Sequence, residues 1–128
     1  MSQTDADLRR ILERAKTIAV LGAHPDASRP AHYVPLYLHS RGLRVLPVNS
    51  QFPGQTLWGS PVRATLAELG EPIDVVDVFR RADHLAAHVP DILAMKPLPR
   101  VVWFQSGIEK DAVAAELARH GIEVVQDR

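Results

Sequence analysis

Residues 17–30 read TIAVLGAHPDASRP. The first five form a continuous apolar run that ends at Gly22, which is typical of a central parallel strand covered by helices on both faces. A polar loop follows, and beyond it the apolar residues between Tyr33 and Leu38 have the spacing of a helix that ends near Gly42. This strand-loop-helix unit decides the fold, because the rest of the chain repeats it.

The remaining sequence alternates in the same way. Apolar runs predict further strands at residues 43–48, 73–79, 101–104 and 122–125, and helical spacing predicts helices around residues 8–15, 61–69, 85–93 and 108–120. The connection 49–60 is rich in Pro and Gly and is expected to be irregular. Because no Asn-Gly hairpin signal separates the strands, we predict parallel pairing with right-handed crossovers. The expected fold is α/β: one Rossmann-like three-layer α/β/α domain over residues 1–128, with a five-stranded parallel sheet in the order 3-2-1-4-5.

Composition indicates an ordinary globular domain. The 128 residues are 46% apolar and 23% charged, and no apolar stretch is long enough for a membrane helix. Since Met1 to Asp7 is polar and acidic rather than signal-like, we expect a cytoplasmic protein. Fifteen basic residues balance fifteen acidic ones, so neither nucleic acid nor a membrane is an expected partner, and any anion must be held locally. The absence of Cys excludes disulfides and a Cys nucleophile.

The loop after the first strand has features of a phosphate site. In a doubly wound sheet the ligand lies outside the carboxyl ends of the strands where the winding reverses, which the predicted order places between the first and fourth strands. Gly22 permits a sharp turn, and the following helix offers free N–H groups and a positive dipole end. Ser28 and Arg29 add donors that suit phosphate oxygens. The plain alternative is a long loop that only begins a helix.

A dinucleotide fingerprint is absent from this loop. Gly22 stands alone where the motif G-x-G-x-x-G needs three glycines. Val48 at the end of the second strand is followed by Asn49 rather than by an acidic residue for a ribose hydroxyl. Both features argue against NAD as the ligand.

Several segments, taken in order and spacing, carry a resemblance to a known family. They are Ile18-Ala19-Val20-Leu21-Gly22, Ser28-Arg29-Pro30, Val45-Leu46-Pro47-Val48-Asn49, Asp74-Val75-Val76-Asp77-Val78-Phe79-Arg80, Val102-Trp103-Phe104-Gln105-Ser106-Gly107 and Val124-Val125-Gln126-Asp127-Arg128. Over essentially its whole length the chain resembles the small stand-alone CoA-binding domain proteins of bacteria and archaea. These are similar to the CoA-binding domain of the succinyl-CoA synthetase alpha subunit. The resemblance implies a nucleotide-binding protein of bacterial type with coenzyme A across the strand ends.

The resemblance also implies a role for each matching segment. The phosphates would be held by Gly22, Ala23, His24, Pro25, Ser28, Arg29 and Pro30, with backbone N–H groups, the Ser28 hydroxyl and the Arg29 guanidinium as donors. The adenosine would lie beside Val48 and Asn49, and the neighbouring wall would be Val78, Phe79 and Arg80. The path of the pantetheine arm would be bordered by Gln105, Ser106 and Gly107.

No residue is assigned a catalytic or metal-binding role. Spacing places neither a nucleophile nor an acidic partner beside the histidines near the loop. Asp74 and Asp77 are three apart on a strand, so we expect them on opposite faces rather than as a pair. His84 and His88 are expected on a helix surface, and a pair at i, i+4 without further ligands is a weak metal signal.

The sequence therefore favours a protein that binds coenzyme A or an acyl-CoA at the first strand-to-helix loop, without catalysis of its own. Two alternatives stay open. A regulatory or scaffold partner of an acyl-CoA enzyme, acting through a protein partner or as a homo-oligomer, would share the fold. A small NAD(P)-binding oxidoreductase would share it too, although the missing fingerprint argues against it.

Overall fold

Helices and strands alternate along residues 4–128, which this computed structural model describes. The helices are α1 Asp5–Arg14, α2 Pro30–Ser40, α3 Leu85–Leu93 and α4 Asp111–Arg119. The strands are β1 Thr17–Leu21, β2 Arg44–Val48, β3 Thr56–Leu57, β4 Ser60–Pro61, β5 Val75–Val78, β6 Val101–Phe104 and β7 Glu123–Val125. Short 3-10 turns cover Ala67–Leu69 and Ala82–His84. The predicted polar start, Met1 to Asp7, begins outside the described residues.

The predicted three-layer α/β architecture is confirmed. One parallel sheet runs β2-β1-β5-β6-β7, and alternate residues of each strand face opposite layers. Apolar residues of α1, including Leu8 and Ile11, pack with Ile18 and Val20 on one face of the sheet. On the other face α3 and α4 pack over a second set of strand residues, such as Val76. The continuous apolar runs of the sequence thus reflect strands that are buried on both sides.

The predicted strand order is wrong in one respect. The third long strand, β5, pairs with β1 rather than with the outer edge of β2, which gives 2-1-3-4-5 for the five long strands. The outer edge of β2 is already occupied, because Asn49 N donates to Arg63 O at 2.9 Å and Arg63 N donates to Pro47 O at 3.1 Å. Asp74 meanwhile ties β5 to β1, since its carboxylate accepts from the Thr17 N–H at 3.0 Å. The winding therefore reverses between β1 and β5 rather than between the first and fourth strands.

The connection between β2 and β5 also differs from expectation. Instead of an irregular stretch and a helix at 61–69, it contains the antiparallel pair β3-β4 and only one 3-10 turn. Trp58 and Gly59 form the tight turn with φ of 52° and 79°, values that a hairpin turn of the primed type requires. The amides of Leu66 and Ala67, which would begin a longer helix, donate to the Asp91 carboxylate at 2.8 and 3.0 Å.

None of the helices within residues 4–128 has the length and apolar character needed to cross a membrane.

Candidate functional site

The carboxyl ends of the parallel strands bring the predicted site segments to one rim of the sheet. A cleft of about 700 Å³ at this rim is lined by the predicted residues Arg29, Pro30, Phe79, Arg80, Gln105, Ser106 and Gly107. A second cavity of about 280 Å³ lies on the other side of Arg80 and is lined by the predicted residues Gly22 and Asn49. The remaining predicted residues, which line neither cavity, are Ala23, His24, Pro25, Ser28, Val48 and Val78.

Gly22 follows β1 and lies against the residues that follow β5. Its φ is 93°, and a Cβ atom placed on it would lie 2.8 Å from the Phe79 carbonyl oxygen and 3.0 Å from Arg80 Cδ. Its N–H donates to Val48 O at 2.9 Å. Only glycine fits this backbone and this close approach, so Gly22 lets the chain after β5 lie against the first loop.

The two Ser28 donors expected to hold a phosphate in this loop are already hydrogen-bonded within it. The Asp26 carboxylate accepts from the Ser28 N–H at 2.9 Å and from the Ser28 hydroxyl at 2.7 Å, and it lies 3.8 Å from Arg29 Nε. These two Ser28 donors, the backbone one first, hold the pKa of Asp26 below its usual range. A phosphate that used Ser28 would have to displace this carboxylate.

A proline inside α2 anchors the start of the loop. Pro35 has no N–H, so the Ala31 carbonyl lacks its helical partner and instead accepts from the His24 N–H at 3.4 Å. His24 Nδ1 accepts from the Asp26 N–H at 3.0 Å, and its ring packs edge-on against Phe52 with centroids 4.9 Å apart. The His24 ring therefore shapes the loop.

Arg80 separates the two cavities and lines both. Its Nε is buried and has no hydrogen-bond partner within residues 4–128, and its Nη2 lies 3.4 Å from His84 Nδ1. None of the ion pairs in the described part of the chain involves this guanidinium. A partly desolvated cation that forms no ion pair within the described residues is the feature of this rim most suited to an anion.

Asp77 is a buried carboxyl beneath the same rim. It is 4% exposed and accepts from Gln105 Nε2 at 2.5 Å. Burial raises the pKa of Asp77 to about 7, and the hydrogen bond from Gln105 opposes that shift. Asp74 lies just before β5, and its carboxylate accepts from the Lys16 and Thr17 N–H groups at the beginning of β1. The two carboxyls therefore do not form a pair.

The family follows from comparison with known proteins. A family model described as a CoA binding domain matches residues 16–128. The chain belongs to the CoA-binding domain family. The resemblance stated from the sequence is thereby confirmed.

This CoA-binding domain is similar to other proteins along nearly its whole length. It is 30% identical to the uncharacterized protein YneT of Bacillus subtilis strain 168, over 95% of this chain and 87% of the relative. The solved structure of cell-free ID.343 from Thermus thermophilus is 52% identical, with a TM-score of 0.92 over 98% of this chain and 92% of that one. A hypothetical protein from Pyrococcus horikoshii OT3 is 31% identical, with a TM-score of 0.88 over 98% of this chain and 86% of that one.

Several residues around the cavities of this CoA-binding domain were missed by sequence reasoning. The smaller cavity is also lined by Ser50, Thr65 and His88, although His88 was expected on a helix surface. Burial, followed by the positive charge of Arg80, lowers the pKa of His88. Thr65 reaches the rim only through the unpredicted β3-β4 segment. The spacing of Arg80, His84 and His88, each four residues after the last, was the one available signal.

The Asp77 carboxyl makes the stability of this CoA-binding domain depend on pH. The folded carboxyl has a raised pKa of about 7 and binds its proton more tightly than the unfolded one at about 4. The contribution of this carboxyl to the free energy of unfolding is therefore fully present below about pH 4 and is lost as pH rises through about 7. We predict that Asp77→Asn, which keeps an acceptor for Gln105, stabilises the protein increasingly between those pH values, by a total on the order of 4 kcal/mol.

Urea unfolding of both proteins from pH 4.5 to pH 8.5 measures this difference. Asp111→Asn is the matched control, because its carboxylate lies at the exposed start of α4. Parallel curves for the wild type and Asp77→Asn would contradict the prediction.

Proposed function

We propose that this chain binds coenzyme A or an acyl-CoA along the carboxyl rim of the sheet. In this proposal the diphosphate lies between Arg80 and the loop 22–30, the adenosine lies toward the cavity lined by Asn49, and the pantetheine arm follows 105–107. Family membership supports the ligand class. The single observation that supports this placement of the diphosphate is the partly desolvated Arg80 guanidinium. It lines both cavities and forms no ion pair with a carboxylate of the described residues.

Local charge supports this ligand. The chain has a formal net charge of zero, so it does not attract an anion as a whole. Three arginines nevertheless line the larger cleft, namely Arg29, Arg80 and Arg81. Planar guanidinium groups suit phosphate oxygens because they donate two parallel hydrogen bonds. The cleft thus concentrates donors for the highly charged end of coenzyme A.

The proposed role is binding without chemistry. Ser106 is the serine lining the larger cleft, and within the described residues its hydroxyl forms no hydrogen bond to a histidine or a carboxylate. A serine nucleophile needs such a base beside it. The arrangement favours a domain that holds its ligand.

A partner function is the second candidate, and one feature favours it. Tyr33, Leu36 and Tyr37 form an exposed apolar stripe on α2, with exposed fractions of 50%, 44% and 62%. Tyr33 also lines the larger cleft, so a protein on this stripe would lie at the mouth of the ligand site. Light scattering with and without coenzyme A, combined with a pull-down, distinguishes a partner protein or homo-oligomer from a monomer that binds only the ligand.

Calorimetric titration tests the ligand directly. We predict that coenzyme A binds, and that dephospho-CoA, ATP and NAD each bind more weakly, because each lacks the 3′-phosphate or the pantetheine arm. A titration with NADH monitored by fluorescence examines the oxidoreductase alternative. The absence of heat with every CoA species at millimolar concentration would overturn the proposed function.

Arginine substitutions locate the diphosphate. Arg80→Gln and Arg29→Gln should each weaken CoA binding by roughly 10- to 100-fold, since a charge-assisted hydrogen bond contributes about 1.5 to 3 kcal/mol. Arg80→Gln should have the larger effect, because Arg29 is 61% exposed and already faces Asp26. Arg41→Gln at the far end of α2 removes the same charge and should leave the affinity unchanged. Equal affinities for the Arg80 variant and the Arg41 control would remove Arg80 from the site.

The Asp26 carboxylate should compete with the ligand. Asp26→Asn keeps an oxygen for the Ser28 N–H but removes a negative charge beside the proposed phosphate position. We predict that CoA binds this variant roughly two- to fivefold more tightly at low salt, and that the gain shrinks as salt screens the charge. Calorimetry at two salt concentrations measures this change in affinity. A weaker affinity would show that Asp26 assists binding, and a gain that does not depend on salt would show that charge repulsion is not its cause.

A further inference from the structure

Gln105 stands at the junction of two cavities. One is the larger cleft at the rim, and the other is a cavity of about 200 Å³ between α1, α2 and the sheet. Asp77 lines this 200 Å³ cavity and accepts from Gln105 Nε2 at 2.5 Å. Within residues 4–128, Gln105 Oε1 accepts no hydrogen bond. One end of the Gln105 amide is thus committed to a buried carboxyl, while the other is free for a ligand.

The charge of Asp77 determines whether the NH₂ group or the carbonyl oxygen of Gln105 faces it. An ionised carboxylate only accepts hydrogen bonds, so it must face the NH₂ group of Gln105. The carbonyl oxygen Oε1 is then the end of the amide that Asp77 does not bind, and Gln105 also lines the larger cleft. A protonated Asp77 has a donor of its own, which allows the amide to turn over and present its NH₂ group to the cleft.

We propose that Asp77 is a positioning residue that holds Gln105 with its oxygen toward the cleft, where it accepts a hydrogen bond from an amide N–H of the pantetheine arm. The inference rests on the proposed CoA-binding function and deepens it. Adenine nucleotides that lack a pantetheine arm have no such N–H to offer. The Asp77–Gln105 pair would therefore recognise the pantetheine arm, the part of the ligand that distinguishes coenzyme A from other nucleotides.

Few charged groups can disturb this arrangement. The walls that α1, α2 and β1 contribute to the cavity of Asp77 are apolar, and from β6 Trp103 contributes a neutral, buried indole N–H. Among the described residues, the other charged residue that lines this cavity is Arg128. Its Nη2 donates a hydrogen bond to Asp5 Oδ1 at 2.9 Å. Burial is thus the main influence on Asp77 and brings its titration to about pH 7.

The test compares two ligands across pH. Coenzyme A and adenosine 3′,5′-bisphosphate are titrated by calorimetry from pH 5.5 to pH 8.5, and the ratio of their affinities is divided at each pH by the same ratio for Asp77→Asn, which removes the titration of the ligands' own phosphates. For the wild type we expect this corrected ratio to fall by about three- to tenfold as pH drops through about 7, the effect of one hydrogen bond. Gln105→Leu should show a corrected ratio independent of pH, while Asp111→Asn should follow the wild type.

A second readout does not need the ligand. In NMR spectra of the free protein, the Gln105 side-chain NH₂ signals should move with pH in the wild type and stay fixed in Asp77→Asn. A wild type that binds coenzyme A with a pH-independent corrected ratio would overturn this inference alone. Failure of both nucleotides to bind would overturn the proposed function and the inference with it, even if the NMR signals titrate.

Discussion

The close approach of β1 and β5 at Gly22 is the constraint on which the rest of the site depends. Because Gly22 has no side chain, the Phe79 carbonyl and the Arg80 side chain can lie against the first loop, where a Cβ atom would come within 2.8 Å of the Phe79 oxygen. This contact places Arg80 between the two rim cavities and withdraws its Nε from solvent. The cation on which the proposed function relies is therefore held in place by a backbone contact at the strand ends.

The distribution of charge within the site changes how the first loop should be understood. The loop was expected to offer Ser28 and Arg29 to a phosphate, but the Asp26 carboxylate already occupies both Ser28 donors. Exposed ion pairs of this kind contribute little to binding or stability, whereas a partly buried cation without a partner gains more from an incoming anion. The proposed anion site is therefore centred on Arg80, while the Asp26 carboxylate occupies the Ser28 donors that the sequence had suggested for a phosphate.

The sequence predicted the elements of the fold better than their arrangement. Runs of mainly apolar residues identified all five long strands, because strands buried on both faces leave a strong signal. The strand order was wrong because it depends on backbone hydrogen bonds from Arg63 and on the Asp74 carboxylate, which no local pattern reveals. The convergence of Arg29, Arg80 and Gln105 on one cleft followed from parallel topology. Their exact partners could not be predicted, since the contacts of Asp77 with Gln105 and of Asp26 with Ser28 depend on side-chain geometry.

The proposed function depends on where a diphosphate binds on this rim. A crystal structure of the protein grown with coenzyme A is the most direct measurement of that position. It should show the diphosphate within hydrogen-bond distance of the Arg80 guanidinium, with the pantetheine arm passing Gln105. Density for the diphosphate elsewhere, with Arg80 turned away from it, would contradict the account.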